Sequence, residues 1–426
     1  MMDITTLPYR AEPLFLGVLA VTVLLWIALS LYVVLNRRAH DRRQRRLMEA
    51  ARDLSDPAVA SLPPLERSPA IRRMMSRLSR RELYLMVAST ELPPGVSEIC
   101  AAYATDRVGL DRIADDACVD AERRKWRRIP ALFALGKLKA PKAYEVLETA
   151  ITDPDPDVSN AASVILHRMG DRHAAAILIA ALRKGSPPPS RVATHLDQFP
   201  LAIHDLIRPV LVDPQPHARQ WAASLLARYP DVPGLAVEVA ELADDRDPQV
   251  RKAALATLGA MTNPVAVPTA QRRLGDPVSY VRSTAIRVLT RHGSVDADEA
   301  RRQTIASWIA PGLADGTWDV RTAAKESLVQ LGPATWRNVA AQLRSPDEFA
   351  RNSAAEVLQN LGLVDSTIKG FGSGVEPATD AVDAVTRALH AGGPPMARAA
   401  AMRSTPESLP VIEGLVASPQ LAGVEP

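Results

Sequence analysis

Beyond about residue 123 the chain alternates short apolar stripes with turn residues, and seven of these segments share one register, starting at Trp126, Asp157, His217, Gln249, Tyr280, Asp319 and Phe349. They can be aligned on Arg128, Ser159, Arg219, Arg251, Arg282, Arg321 and Arg351. Three residues on from each stands Ala (131, 162, 222, 254, 285, 324, 354), and seven on stands Leu (135, 166, 226, 258, 289, 328, 358). Offsets of three, four and seven fall on one helical face, and a small Ala there lets a neighbouring helix approach closely. Gly170, Gly293, Gly332 and Gly362 follow at offset eleven, where a left-handed cap would end each helix.

Second apolar stretches lie between the aligned segments, beginning at Ala143, Ala174, Leu235 and Trp336. Turns punctuate them at Asp155-Pro156, Asp213-Pro214, Asp247-Pro248, Asp276-Pro277 and Ser345-Pro346. Each unit is therefore expected to be a pair of antiparallel helices, and the whole an all-α solenoid of roughly seven to nine pairs. The aligned residues stand 31, 60, 32, 31, 39 and 30 positions apart, so the long interval is expected to hide a degenerate unit around Ser186-Pro187-Pro188-Pro189.

The N-terminal pattern is of another kind. Leu14 to Leu35 is uncharged over 22 residues, long enough as a helix to cross a hydrocarbon core of about 30 Å. It lacks the basic start, short apolar core and small-residue cleavage site of a signal peptide. Arg10 stands against Asp3 and Glu12 upstream, whereas Arg37, Arg38, Arg42, Arg43, Arg45 and Arg46 follow at once. The Lys/Arg bias places residues 1–13 outside, 14–35 across the bilayer as a single transmembrane helix, and the remainder in the cytoplasm. The expected location is the inner, cytoplasmic membrane.

Charge changes the picture further along. Residues 37–82 carry 13 Arg against 6 acids, and residues 83–426 carry a net −3. Residues 36–82 form a basic neck in which Ser68-Pro69 predicts a helix start. Ile71, Met74, Met75 and Leu78 share a face there, with Arg72, Arg73, Arg77, Arg80 and Arg81 around the rest. Two readings of this neck stand: a solvated connector, or a helix lying on anionic lipid. The slight acidic excess beyond it argues against nucleic acid as a partner.

The segment Asp247 to Gly259, with its D-P-x-V-R-x-x-A-x-x-x-L-G pattern, resembles HEAT repeats, and more closely the short bacterial kind also called phycocyanobilin-lyase-like. The resemblance covers about residues 123–365, with residues 186–205 departing from it. It implies a HEAT-like solenoid in which the recurring Arg and a turn acid form a ladder between adjacent repeats. Residues 83–122 are expected to cap it at one end. Residues 366–379 are expected to be a flexible linker, and residues 380–426 a helical pair (Asp380 to His390, Met396 to Met402) with a frayed tail.

The concave face of such a solenoid would be lined by the second helix of each pair, at offsets of about one, five and nine. That selects Lys252, Arg287, Arg291, Thr322, Glu326, Gln330, Asn352 and Glu356. Mixed charge suits a protein partner. Trp308, Trp318 and Trp336 are either interface anchors or layer packing. No catalytic, cofactor or metal-binding constellation emerges. His167 and His173 lack metal spacing, Gly370-Phe371-Gly372-Ser373-Gly374 lacks the ending of a phosphate loop, and Asp115-Asp116 and Asp244-Asp245 read as solvated turn charges. Cys100 and Cys118 are too few for a disulfide framework, and aromatic residues make up only 4% of the chain. The expected function is a membrane-anchored cytoplasmic scaffold that binds a protein partner and is not an enzyme. The rivals are a regulatory subunit of a membrane glycosyltransferase or polysaccharide-export system, and a chromophore-lyase-like enzyme.

Overall fold

Between Val18 and Ser55 the chain contains neither Gly nor Pro, and one helix carries the apolar run straight into the basic run behind it. A computed structural model describes residues 12–88, 92–118, 125–139, 141–295 and 298–417. The expected outer tail up to residue 11 lies outside the described residues. Helix α1 (Glu12–Ser55) is 44 residues long, and its part Val21–Ser55 is long and apolar enough to cross a membrane. The chain divides into two units, Met1–Ile177 and Leu178–Pro426.

In the first unit α1 ends at Asp56, whose carboxylate accepts from the Ala58 N–H and starts α2 (Pro57–Ser61). There follow α3 (Pro64–Ser76), α4 (Arg80–Ala88), α5 (Pro94–Val108) and α6 (Leu110–Cys118). Leu47, Ala50, Ala51 and Leu54 recur at helical spacing on α1 and pack against the α3–α5 core of Ile71, Met75, Leu78, Leu83, Met86, Val96 and Cys100. The neck is thus no separate connector: its beginning is α1 and its remainder is core. Ser68-Pro69 does not start a helix. Pro64 does, with its fixed φ at the first helical position, and Pro69 is tolerated inside the helix. Because Ile71, Met75 and Leu78 are buried in protein, the face they share packs on the core and is not free to lie on lipid. Arg72, Arg73, Arg77, Arg80 and Arg81 remain exposed. Arg72 pairs with Asp106 at 2.9 Å, and Arg80 with Asp116 at 3.2 Å.

The first unit continues with α7 (Lys125–Leu138), α8 (Pro141–Ala150), α9 (Pro156–Met169) and the start of α10 (Arg172–Lys184). Ala131, Leu135, Ala162 and Leu166 are fully buried where α7 packs on α9.

The second unit opens with α11 (Pro189–Asp197), which packs on α13 (Pro216–Leu226) after the single turn α12 (His204–Ile207). This is the degenerate unit. Buried Ala193 holds the Ala position, which makes Ser190 the equivalent of the recurring Arg, 31 residues after Ser159 and 29 before Arg219. The Leu position falls on Asp197, beside the helix end, and Phe199 fills the core instead.

Then come α14 (Leu235–Glu241), α15 (Pro248–Ala260), α16 (Ala266–Arg272) and α17 (Ser279–Val295). They are followed by α18 (Glu299–Ile309), α19 (Trp318–Leu331), α20 (Trp336–Ala341) and α21 (Glu348–Asn360). Helices α13, α15, α17, α19 and α21 stack in succession. The recurring Ala and Leu of all five are fully buried, so the register is the core of the stack. Helices α14, α16, α18 and α20 run into 3-10 turns that lead to the next long helix.

Gly170 and Gly362 take the left-handed conformation at helix ends, with φ of 65° and 73°. Gly293 instead lies inside α17, where a Cβ would come within 2.8 Å of Leu331. It provides packing clearance and no cap. The expected flexible linker is also mostly ordered helix: α22 (Leu363–Gly372) contains Gly370, Phe371 and Gly372 and buries Val364, Thr367 and Ile368. The expected pair follows as α23 (Thr379–Met402), two helical stretches that meet at a kink where Gly393 takes a φ of 64°, and α24 (Leu409–Ala417) comes after it. The expected frayed end from residue 418 lies outside the described residues.

Candidate partner-binding surface

Three of the 3-10 turns in the second unit deliver Asp245, Asp276 and Asp315 to the same place. One carboxylate oxygen accepts from the N–H two residues on: Asp247 at 2.8 Å, Val278 at 3.0 Å and Thr317 at 2.9 Å. The carboxylate also receives the paired Nε and Nη2 of the arginine one repeat earlier. Arg219 binds Asp245 at 2.8 and 2.9 Å, Arg251 binds Asp276 at 2.8 and 2.7 Å, and Arg282 binds Asp315 at 2.8 and 2.7 Å. The remaining Nη1 donates to a main-chain carbonyl of its own turn, as Arg251 does to Asp245 at 3.0 Å and Arg282 to Asp276 at 2.8 Å. Each aspartate thus joins two arginines, one by side chain and one by main chain.

Asp213 accepts from Arg183 at 2.6 Å, since α11 has Ser190 where the arginine would stand. In the first unit Arg128 pairs with Asp153 at 2.6 Å. Burial pushes the carboxyls of Asp245, Asp276 and Asp315 upward, but the arginine and backbone hydrogen bonds more than offset it and hold each below the usual range. Asp245 is consequently no solvated turn charge, and neither is Asp116, which sits in α6 and accepts from the Tyr84 hydroxyl at 2.8 Å.

With the arginines of α15 and α17 tied into this ladder, and those of α19 and α21 bonded through Nη1 to their own turns, the four helices leave other positions to solvent. Lys252, Arg287, Arg291, Glu326, Gln330, Asn352 and Glu356 are exposed, and Thr322 is half-buried. Neighbouring helices share the register, so these residues form a mixed-charge face across four repeats. Lys252 lies 5.6 Å from the centre of the Tyr280 ring, and Lys325 pairs with Glu356 at 2.7 Å. Asn352 and Glu356 also line an open groove of about 580 Å³, closed on its other side by Gly392, Pro395 and Met396 near the kink of α23.

Aromatic exposure is uneven. Trp308 and Trp336 are half-buried, whereas Trp318, at the first residue of α19, is 72% exposed, and Phe349 at the start of α21 is 60% exposed. Nothing in the sequence marks Phe349 as exposed, because its position is polar or aromatic by turns in the other repeats. In the first unit a pocket of about 650 Å³ is lined by Leu92, Ser97, Phe133, Ile165, Arg168 and Met169. Burial pushes the Cys100 thiol up to about 12. Among the described residues no group of three His, Cys, Asp or Glu side chains is placed to hold a metal ion.

Residues 121–196 and 235–303 match the family model described as HEAT repeats. These two stretches carry HEAT repeats. No curated protein matches it. Among solved structures it is similar to an engineered protein at 17% identity, covering 86% of this chain and 93% of that one with a TM-score of 0.34. It is also similar to Kap121p at 10% identity, covering 84% of this chain and 47% of that one with a TM-score of 0.45. The Kap95:Nup1 complex is similar at 11% identity over 86% of this chain and 59% of that one, with a TM-score of 0.45. The chain spans just under half the length of Kap121p. Such distant likenesses carry no activity over, so the function has to be read from the surface of the HEAT repeats themselves.

Proposed function

We propose that this protein is a membrane-anchored scaffold whose HEAT repeats hold a protein partner against the mixed-charge face of α15, α17, α19 and α21, acting by binding rather than catalysis. The observation that carries the reading is the division of labour within each repeat helix. On α15 and α17 the recurring Arg is held by the ladder, while Lys252, Arg287, Glu326 and Glu356 stay exposed in one register across the four helices. A face that is basic on α15 and α17 and acidic on α19 and α21 favours a partner with its own complementary pattern and disfavours a uniform polyanion.

Support for the anchor comes from the uncharged run 14–35 and from the exposure of its described side chains, Trp26 and Leu24 among them. The arginines from Arg37 onward support the orientation with the N-terminus outside and the repeats in the cytoplasm. They also support contact with anionic headgroups along α1. Confinement at the bilayer would raise the local concentration of a partner that meets the same membrane.

The test is affinity purification of the full chain from mild detergent, beside a Lys252→Glu/Arg287→Glu variant. A partner held by the wild type and released by the variant supports the face. A partner held equally by both places recognition elsewhere.

A further inference from the structure

The ladder stops one step before the stack does. Arg321 keeps the inner bond of its predecessors, Nη1 donating to the Asp315 carbonyl at 2.8 Å. The next turn, however, presents Ser345 where the earlier turns present Asp245, Asp276 and Asp315. Ser345 is followed by Pro346 as Asp276 is by Pro277, and its N–H closes the same 3-10 turn. Its hydroxyl accepts from the Asp347 N–H at 3.2 Å, which takes over the turn-forming task of the aspartate. The other task is left undone: among the described residues no carboxylate faces the Nε and Nη2 edge of Arg321. The half-buried guanidinium is held over the Phe349 ring at 4.5 Å, with exposed Trp318 one helical turn away on α19.

Resting on the reading of this chain as a protein-binding scaffold, we infer that Arg321 is the docking point for an aspartate or glutamate of the partner, flanked by an apolar residue. The carboxylate takes the place that Asp276 holds on Arg251 and Asp315 holds on Arg282, and the apolar neighbour covers Trp318 and Phe349. The geometry is inherited from repeats in which the same guanidinium edge already binds a carboxylate with two parallel bonds. Two exposed rings beside it suit a peptide better than a free anion, since burying aromatic surface supplies affinity that a small ion lacks. Asp319 and Glu348, each next in sequence to one of the rings, disfavour a doubly charged phosphate.

The experiment uses the full chain in detergent micelles, with the arginine side-chain resonances followed by NMR. The probe is a blocked Gly-Leu-Asp-Leu-Gly peptide, compared with its Asn counterpart. The Asp peptide is expected to shift Arg321 saturably, with the Asn peptide at least about tenfold weaker, one charge-assisted contact being worth that much. Ser345→Asp supplies the missing carboxylate within the chain: it should raise Tm and abolish the shift. Equal binding of the two peptides, no binding at all, or undiminished binding by Ser345→Asp would overturn the site. If Lys252→Glu/Arg287→Glu releases a protein partner while Ser345→Asp retains it, the mixed-charge face stands and the Arg321 site falls. If the Asp peptide binds as expected while the charge reversals release nothing, the Arg321 site stands without that face.

Discussion

Arg251 and Asp276 stand 25 residues apart in sequence and meet through two parallel hydrogen bonds of 2.8 and 2.7 Å, their side chains only 9% and 0% exposed. Removing one member strands the other charge in a place that water does not reach. Arg251→Ala or Asp276→Asn should therefore destabilise the second unit by about 3 kcal/mol. Lys325→Ala, which breaks the more exposed pair with Glu356, should cost less than about 1 kcal/mol. Denaturant melts of the three variants check the contrast. Equal losses would mean that the ladder only decorates the stack.

The same carboxylates set the response to acid. In the folded chain Asp245, Asp276 and Asp315 lie below their unfolded values, so the unfolded chain binds protons first as the pH drops. Their contribution is full above the unfolded carboxyl range, about pH 4 to 5, and is lost as the pH falls toward the folded values. Tm measured against pH should fall on the acid side in the wild type. Asp276→Asn should start lower and fall less steeply.

How far the sequence reached can be judged from these residues. The Ala and Leu register named the buried face of every long repeat helix, because helical periodicity and burial are the same fact seen twice. The pairing of the ladder was visible only in outline. Arg251 lies four residues after Asp247, which suggests a local partner, yet its carboxylate comes from Asp276 in the next repeat. Asp247 caps its own helix instead. The spacing that marks Gly293 as a cap does not distinguish a cap from a packing gap, since both call for Gly and only the path of α18 and α19 tells them apart. The face made by Lys252, Arg287 and Glu356 followed from periodicity. The vacancy at Arg321 did not, because it is defined by a carboxylate missing at Ser345, twenty-four positions from the arginine it affects only once the fold brings the turns together.

The two cysteines should separate cleanly. Cys100 is fully buried in the α3–α5 core with its thiol pushed up to about 12, whereas Cys118 is exposed at the end of α6. Reactivity follows the thiolate, so maleimide at mildly alkaline pH should modify Cys118 alone until denaturant is added. Burial of its surroundings raises the Cys118 thiol too, and its rate should fall below that of a free cysteine. Rapid labelling of both would show that the N-terminal core opens readily.

The last expectation concerns the join between α1 and that core. A connector of turns and a separate helix would let the apolar segment swing, but the residues of α1 that enter the core, Leu47, Ala50, Ala51 and Leu54, belong to the same helix as Trp26. At about 1.5 Å per residue, ten residues carry the helix some 15 Å from Arg37 to Leu47 without a Gly or Pro at which it would bend. Amides from Arg37 to Ser55 should accordingly resist hydrogen exchange as one protected run. Leu54→Ala, which empties a fully buried site against Ile71 and Met75, should cost about 2 to 5 kcal/mol. It should lower protection in residues 47–55 and 71–78 together while leaving the apolar segment unchanged. Fast exchange at residues 37–46 in the wild type would mean that the basic run is a hinge. The apolar segment would then be joined to the first unit only loosely rather than held at a fixed angle to its core.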